Sequence, residues 1–401
     1  MKVSHFSFSS TGGAGISVAR IARAQAVVGI EPTVRFAVSG NIQNQGLASP
    51  IRTVSALVDY FLVRNSLQNP LFSLVRSGAT LDCELDKTDA DLTHLHWIPG
   101  AVSLGALSTH LARPTPMFWT LQDMWAFTGG CHHHLGCSEF ELGCSDCPQA
   151  RVPFHRLIEA AAKKKRLILE SDNLHVTVPS DWMRSLIERA VPEIGSLHTV
   201  GNPIDTETYS PSKDSAAVRS RLELAKQDFL IVICAADLSV PGKQVENFAK
   251  LLKASLGRFG RTVRLLAVGK NPPRFLEHQS WVTIMSASSD KEMASLFAAA
   301  DVLVSASVAE AFGYTIAEAG ACGTPTVTLA AGGTAESVIP GRSGFVVESM
   351  QEIIEKVLIL ESMGPEAKEM GNAARTHIVD RFSERAIGQA FHDLYGTVLD
   401  P

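Results

Sequence analysis

The sequence lacks the features that commit a chain to a nucleic acid, a bilayer or a disulfide scaffold. Its 36 Lys and Arg are outnumbered by 41 Asp and Glu, for a formal net charge of -5. A basic excess is the usual footprint of a general nucleic-acid binder, so no nucleic-acid partner is expected. No stretch reaches the roughly 18 apolar residues needed to span a bilayer. The apolar run from Leu296 to Phe312 is broken by Asp301 and Glu310. The opening residues, MKVSHFSFSSTGGAG, hold no uninterrupted apolar core, and Arg20 and Arg23 follow. No secretory leader is therefore expected, and the expected location is cytoplasmic. Internal repeats and low-complexity tracts are also missing. Cysteine is scarce at 7 residues, and Cys83, Cys234 and Cys322 sit singly in apolar surroundings, as small core residues do.

What is present is ordinary globular composition, 45% hydrophobic and 19% charged, over 401 residues. That length exceeds what one core of about 250–300 residues supports, so two domains are expected. The 30 glycines suit an α/β protein with tight strand-to-helix turns. Lys2–Phe8 reads as a strand. Gly12, Gly13 and Gly15 form a glycine loop, and helical spacing follows to Gly29, with a strand at Val34–Val38. This order begins a Rossmann-like unit. Leu57–Leu67 reads as a helix. Leu92–Ile98 and Met117–Leu121 read as buried strands, Arg156–Leu169 as a helix, and Leu174–Val178 as a strand. Asp181–Ala190 reads as a helix capped by Ser180. Leu197–Ile204 closes the first unit, and the polar stretch Asp205–Asp214 reads as a linker. A second series follows, with strands at Phe229–Ala235, Val263–Val268, Trp281–Ile284, Val302–Ala306 and Thr326–Leu329. Helices at Val245–Ser255 and Lys291–Ala299 lie between them. The expected architecture is α/β: a first domain over 1–205 with a Cys-rich insertion at about 123–153, a second over 206–380, and a last helix over 381–401.

The strongest chemical signal is E-A-F-G-Y-T-I-A-E, from Glu310 to Glu318. A buried strand precedes it and a helix continues from it. Glu310 thus falls on a loop at a strand's carboxyl end, where open α/β sheets bind ligands. Phe312, Gly313, Tyr314 and Thr315 form the helix N-terminus, whose free amides suit phosphate. Glu318, one turn in, is placed for two vicinal ribose hydroxyls, and Glu310 for hydroxyls of a sugar. A bare pair of carboxylates at this spacing is more often a solvated loop and helix surface; the flanking strand and glycine decide for a site.

These residues resemble the retaining family 4 glycosyltransferases of the GT-B fold. The likeness runs on through G-A-C-G-T-P-T-V, Gly332-Gly333, Glu336, Gly341 and Gly344-Phe345. Asn202-Pro203-Ile204-Asp205 is similar to that family's linker, Gly12-Gly13-Ala14 to its glycine loop, and Ser180-Asp181-Trp182 also fits. The resemblance implies two facing Rossmann-like domains. It implies a nucleotide-diphosphate sugar donor, a UDP-sugar or a GDP-sugar, held mainly by the second domain. The acceptor is a sugar, a lipid-linked group or a small molecule. The last helix returns to the first domain. No catalytic metal is implied at the diphosphate, where basic side chains neutralise the leaving charge. Lys243 matches the family's Lys at that position. Gln244 stands where Gly is usual, and the second basic residue is not evident upstream, so Lys270 is the substitute candidate.

The segment T-L-Q-D-M-W-A-F-T-G-G-C, from Thr120 to Cys131, with His94-Leu95-His96-Trp97 before it, is similar to a bacterial subset of that family. The subset carries His where this chain has Gln122. Gln can donate and accept hydrogen bonds but cannot titrate near neutral pH. Cys131, Cys137, Cys144 and Cys147 lie within this insertion. Four thiolates make a complete structural zinc shell, with His132, His133 and His134 as alternative ligands; disulfides or free thiols are the competing readings. Lys163–Arg166 suits anionic lipid or an anionic acceptor, though such a run at a helix end is more often simply solvated, so peripheral membrane contact stays open. Three functions remain in competition: glycosyl transfer, a catalytically silent sugar-nucleotide-binding partner, and a sugar-nucleotide epimerase.

Overall fold

The first strand shows why the molecule folds in layers. β1 (Lys2–Ser9) is buried at nearly every position rather than at alternate ones. That pattern belongs to a parallel strand covered by helices on both faces. β1 pairs in parallel with β2 (Glu31–Val38) on one side and β3 (Leu92–Leu95) on the other. β4 (Met117–Thr120), β5 (Leu174–Val178) and β6 (Leu197–Thr199) extend the sheet, giving the order β2-β1-β3-β4-β5-β6. The computed structural model describes residues 1–38, 72–74, 81–134, 136–212 and 215–399. The helix expected at Leu57–Leu67 lies outside the described residues, as does the end of the linker stretch.

A second all-parallel sheet has the order β12-β11-β10-β7-β8-β9. Its strands are β7 (Phe229–Asp237), β8 (Val263–Lys270), β9 (Val282–Met285), β10 (Val302–Ser305), β11 (Thr326–Leu329) and β12 (Gly344–Val347). Ile231, Ile233, Val302, Val304 and Val327 form its apolar centre, packed by Phe248 and Leu252 of the helix Val245–Ser255. Residues 1–203 with 387–401 make one compact unit, and residues 204–386 make the other.

The expected segments at Asp181–Ala190, Val245–Ser255 and Thr326–Leu329 match the observed elements end to end. Ser180 caps its helix, its hydroxyl accepting from the Met183 amide at 3.2 Å. β6 is shorter than the expected Leu197–Ile204. It is an edge strand in register with β5 over three residues only, and the chain then leaves the sheet. β12 was not anticipated from the sequence. Four residues are too few to display a period, and its ladder with β11 supplies the definition instead.

The polar residues of β1 and β3 are satisfied by one another. His5, His94 and His96 are all buried, with ring centroids 4.3 to 5.1 Å apart. Gln25 Nε2 donates to the Tyr395 hydroxyl at 2.8 Å, and Gln25 Oε1 accepts from His5 Nε2 at 2.8 Å. A neutral ring donates at one nitrogen and accepts at the other. His5 Nδ1 therefore accepts from His96 Nε2 at 2.8 Å. Tyr395 donates to His94 Nδ1 at 2.6 Å, and His94 Nε2 donates to Thr120 at 2.7 Å. This chain fastens the last helix, Glu384–Leu399, to the first sheet. One nitrogen from each of the three rings lies within 4.8 Å of the others. The chain nonetheless engages five of the six nitrogens in hydrogen bonds, so the trio reads as a hydrogen-bonded core rather than a metal centre.

Burial lowers His5 to about 4 and holds His94 and His96 well below the usual 6.5, with neighbouring rings pushing the same way. The unfolded chain binds these protons first as pH falls. The contribution is therefore complete above about pH 6.5 and is lost progressively toward pH 4. For His5 alone the loss between pH 7 and pH 5 is about 2 kcal/mol. Urea unfolding at the two pH values measures it. His5→Gln should flatten the difference, and a wild-type midpoint unchanged between them would remove the neutral-histidine account.

Candidate active site

Because every strand of the second sheet runs the same way, its loops leave from one carboxyl edge. β7 lies between β10 and β8. The loop after β7 makes one turn of 3-10 helix at Pro241–Lys243, and Gln244 then adopts a left-handed φ of 54° to start the next helix. A glycine meets that requirement without strain, and Gln244 meets it at some cost. The loop after β10 is stitched alongside, the Val308 amide donating to the Gly242 carbonyl at 3.0 Å. Glu310 follows, and Lys243 Nζ donates to Glu310 Oε1 in an ion pair. The Glu310 carbonyl accepts from the Gly333 amide at 2.8 Å. Gly332 has φ 80°, and a Cβ there would stand 2.3 Å from the Glu310 carbonyl oxygen, so only glycine fits.

Gly313, at φ 84°, caps the helix Tyr314–Ala321. Phe312 is 2% exposed and wedged between the rings of Tyr314 and Phe382. Its side chain is core, and it offers a ligand only its backbone. Glu318 is 7% exposed on the next helical turn. Burial pushes the Cys234 thiol of β7 up to about 12, with Glu318 adding to the rise and Lys243 opposing it. Both charges therefore lie within electrostatic reach of the Cys234 thiol on β7. The structure thus gathers Lys243, Glu310, Glu318 and the Gly313–Thr315 turn. Lys270 ends β8, in register with Asp237, and is exposed. Among the described residues it has no ion pair with Glu310 or any other carboxylate.

In the first unit, Gly12 and Gly13 open the helix Gly12–Val27, and nothing lies within 4 Å of a Cβ placed on Gly13. Gly15 is different, because a Cβ there would meet the Ser10 carbonyl carbon and the Ser9 carbonyl oxygen at 2.6 Å. Gln122 forms a reciprocal amide pair with Asn202, donating to its Oδ1 at 2.8 Å and accepting from its Nδ2 at 3.0 Å. Ser17 donates to the same Asn202 oxygen at 3.2 Å.

A further group was not anticipated in the sequence. Asp123 Oδ2 pairs with His132 Nδ1 at 2.6 Å and accepts from the Trp97 indole at 2.9 Å. His132 Nε2 meets Ser73 Oγ at 3.0 Å. Burial alone would raise the Asp123 carboxyl, but the charge and hydrogen bond of His132, with the Trp125 amide, hold it below the usual range. Both His132 nitrogens are thus engaged, which removes it from the alternative zinc ligands. No sequence period links residues 73, 123 and 132; only the fold brings them together. Cys131, Cys137, Cys144 and Cys147 are free thiols. Among the described residues, no three of their sulfurs lie within 4.8 Å of one another.

The chain is similar to several known proteins. Residues 230–362 match the family described as Glycosyl transferases group 1. The D-inositol 3-phosphate glycosyltransferase of Corynebacterium jeikeium is 23% identical over 354 residues, covering 78% of this chain and 74% of that protein. The protein of the same name from Stackebrandtia nassauensis is 28% identical over 254 residues, covering 58% of this chain and 54% of that one. Sucrose-phosphate synthase from Thermosynechococcus elongatus superposes with TM-score 0.70 at 18% identity, covering 99% of both chains. Anabaena HepE, solved in complex with UDP, gives 0.68 at 18% identity, covering 99% of this chain and 100% of that one. The fold is GT-B. The match over the second sheet and its carboxyl-edge site supports a transferase of the group 1 glycosyltransferase kind.

The two glycines give a direct test. Gly15→Ala should lower the thermal midpoint markedly, because backbone must move. Gly13→Ala should leave it unchanged or stabilise by up to about 1 kcal/mol, since Ala favours the helix. Equal melting of the two variants would show that the close approach at Gly15 does not constrain the fold.

Proposed function

We propose that this chain is a retaining glycosyltransferase that moves a sugar from a nucleotide-diphosphate donor, a UDP-sugar by preference over a GDP-sugar, to a glycan, lipid-linked or small-molecule acceptor. The carrying observation is the Lys243–Glu310 pair beside Glu318 and the Gly313–Thr315 turn. The UDP complex of HepE supports the choice of base. In this reading Glu318 accepts from the ribose hydroxyls, the helix N-terminus receives a phosphate, and Glu310 holds hydroxyls of the sugar. Lys243 leaves Glu310 for the diphosphate. As the bond from the anomeric carbon to phosphate oxygen breaks, charge grows on that oxygen, and Lys243 stabilises it. The acceptor oxygen bonds to the anomeric carbon on the same face, and its proton passes to the departing phosphate. Lys270 is a second cation for the diphosphate, and the open space around Gly12 and Gly13, with nothing within 4 Å of a Cβ at either, suits close approach of a ligand to the backbone there.

A second reading, a sugar-nucleotide-binding partner without turnover, draws on Gln122. Its amide pair with Asn202 uses a donor and an acceptor and supplies no titrating group. Turnover of a radiolabelled UDP-sugar separates the readings. Transfer, or slow donor hydrolysis, supports the enzyme; tight binding with neither supports the silent partner.

Mutation should divide the roles. Glu318→Ala should weaken UDP binding, because ribose contacts form in ground and transition states alike. Lys243→Ala should reduce turnover roughly a hundredfold, about 3 kcal/mol, with a smaller effect on affinity. Glu310→Gln should depress transfer and leave UDP affinity nearly intact. Calorimetry with UDP beside turnover measures all three, and loss of UDP binding in a folded Glu310→Gln protein would overturn the sugar assignment.

A further inference from the structure

Lys165 is 2% exposed, and its surroundings offer little to an ammonium ion. Its Nζ donates to the Trp125 carbonyl at 2.7 Å and sits 3.9 Å from the centre of the Trp125 ring. Burying an unpaired cation is expensive, so buried lysines almost always have an anion at hand. Among the described residues, the carboxylate acting on Lys165 is Asp123, which is committed to His132, Trp97 and the Trp125 amide. The other groups acting on it are Cys131 and Cys144.

Two sulfurs of this loop accept backbone amides. Cys144 Sγ accepts from the Gly129 amide at 3.2 Å, and Cys137 Sγ from the Glu139 amide at 3.3 Å. A thiol is a weak acceptor, whereas a thiolate is a strong one. Cys144 itself holds a positive φ of 62°, directly after Gly143 at 89°, so the chain is bent to turn this side chain inward. Cys131 acts electrostatically with Cys144 and Cys147, and Cys137 with both of the latter, so each of the four lies within electrostatic reach of at least two others.

We propose that Cys131, Cys137, Cys144 and Cys147 bind one structural zinc as thiolates, and that Lys165 is the buried counter-ion of that site. Four thiolates and one divalent cation carry a net charge of two negatives, and Lys165 cancels one of them. The sulfurs would close to about 3.8 Å from one another at a zinc–sulfur distance of about 2.3 Å. Each ligand loses a proton to solvent as the metal enters. With all four positions filled by protein the zinc has no catalytic vacancy. It braces the loop that starts at Gln122 and Asp123 and carries His132. None of this depends on the transferase reading.

The full-length protein, expressed with added zinc and purified under reductant without chelator, is assayed by elemental analysis. One zinc per chain is expected, and cobalt substitution should give thiolate-to-metal charge-transfer absorption with a tetrahedral ligand-field spectrum. Cys144→Ser and Cys147→Ser should lose the metal. Metal-free protein whose four cysteines titrate as accessible thiols, or a disulfide between any two of them, overturns the site. Lys165→Met should keep the stoichiometry and release zinc to a colorimetric chelator about tenfold faster, the effect of losing one charge interaction. Lys165→Arg should release it at nearly the wild-type rate. Equal release from the Met and Arg variants would overturn the counter-ion role.

Discussion

The pairing of Lys243 with Glu310 is the constraint on which the second unit's site depends. The two residues are 67 positions apart in sequence. They meet because β7 and β10 are parallel neighbours in fixed register, with Ile231 opposite Val302. Both strands therefore end on one edge, and both loops start there. The bond from Val308 to Gly242 then holds the loops together. At 33% and 24% side-chain exposure the pair is partly solvated, so it contributes about 1 kcal/mol or less. A weak pair suits a site that must open. A diphosphate offers Lys243 two negative groups in place of one, and a sugar offers Glu310 hydroxyl donors. In the proposed reading, the resting pair keeps two opposite charges ordered near their working positions, and so lowers the ordering needed when a ligand arrives.

The first unit follows a different logic. Its central polar groups pair as neutral species. Gln122 and Asn202 exchange two hydrogen bonds, and Ser17 adds a third from the helix that follows the glycine loop. A histidine ring in place of Gln122 cannot reproduce the reciprocal amide pair, since its two nitrogens point in diverging directions. The substitution at 122 is therefore matched by its surroundings. Deeper in the sheet the histidine stack repeats the theme, with uncharged rings satisfied in series and the last helix fastened through Tyr395.

Much of this was legible in the sequence, and the limits have physical causes. Glu310 and Glu318 could be read because strand, glycine and helix follow one another within a few residues, so local sequence fixes their relative placement. Lys243 could be placed on its loop, but its contact with Glu310 depends on strand order, which periodicity does not encode. Gln122 was visible as a departure at a readable position; its partner Asn202 was not, since 80 residues separate them. The same holds for Asp123 with His132 and Ser73. Phe312 stood inside the right motif, yet its ring belongs to the core, because a glycine-capped turn beside a buried strand leaves room for the backbone and little for the side chain.

Lys165 shows how a residue can be misread in sequence and become informative in the fold. Within Lys163-Lys164-Lys165-Arg166 it reads as one of four solvated charges at a helix end. On the helix His155–Leu169 the neighbours Lys163 and Lys164 do face solvent, but the 3.6-residue period turns Lys165 inward with Ile158, Ala162 and Leu169. A lysine on the apolar stripe of an amphipathic helix is a standing electrostatic debt unless something nearby is negative. The carboxylate in range is spoken for, and of the two sulfurs in range Cys144 accepts the Gly129 amide. The charge on one helix and the amide donors at two sulfurs of a separate loop thus point the same way, and the proposed zinc-thiolate cluster would satisfy both.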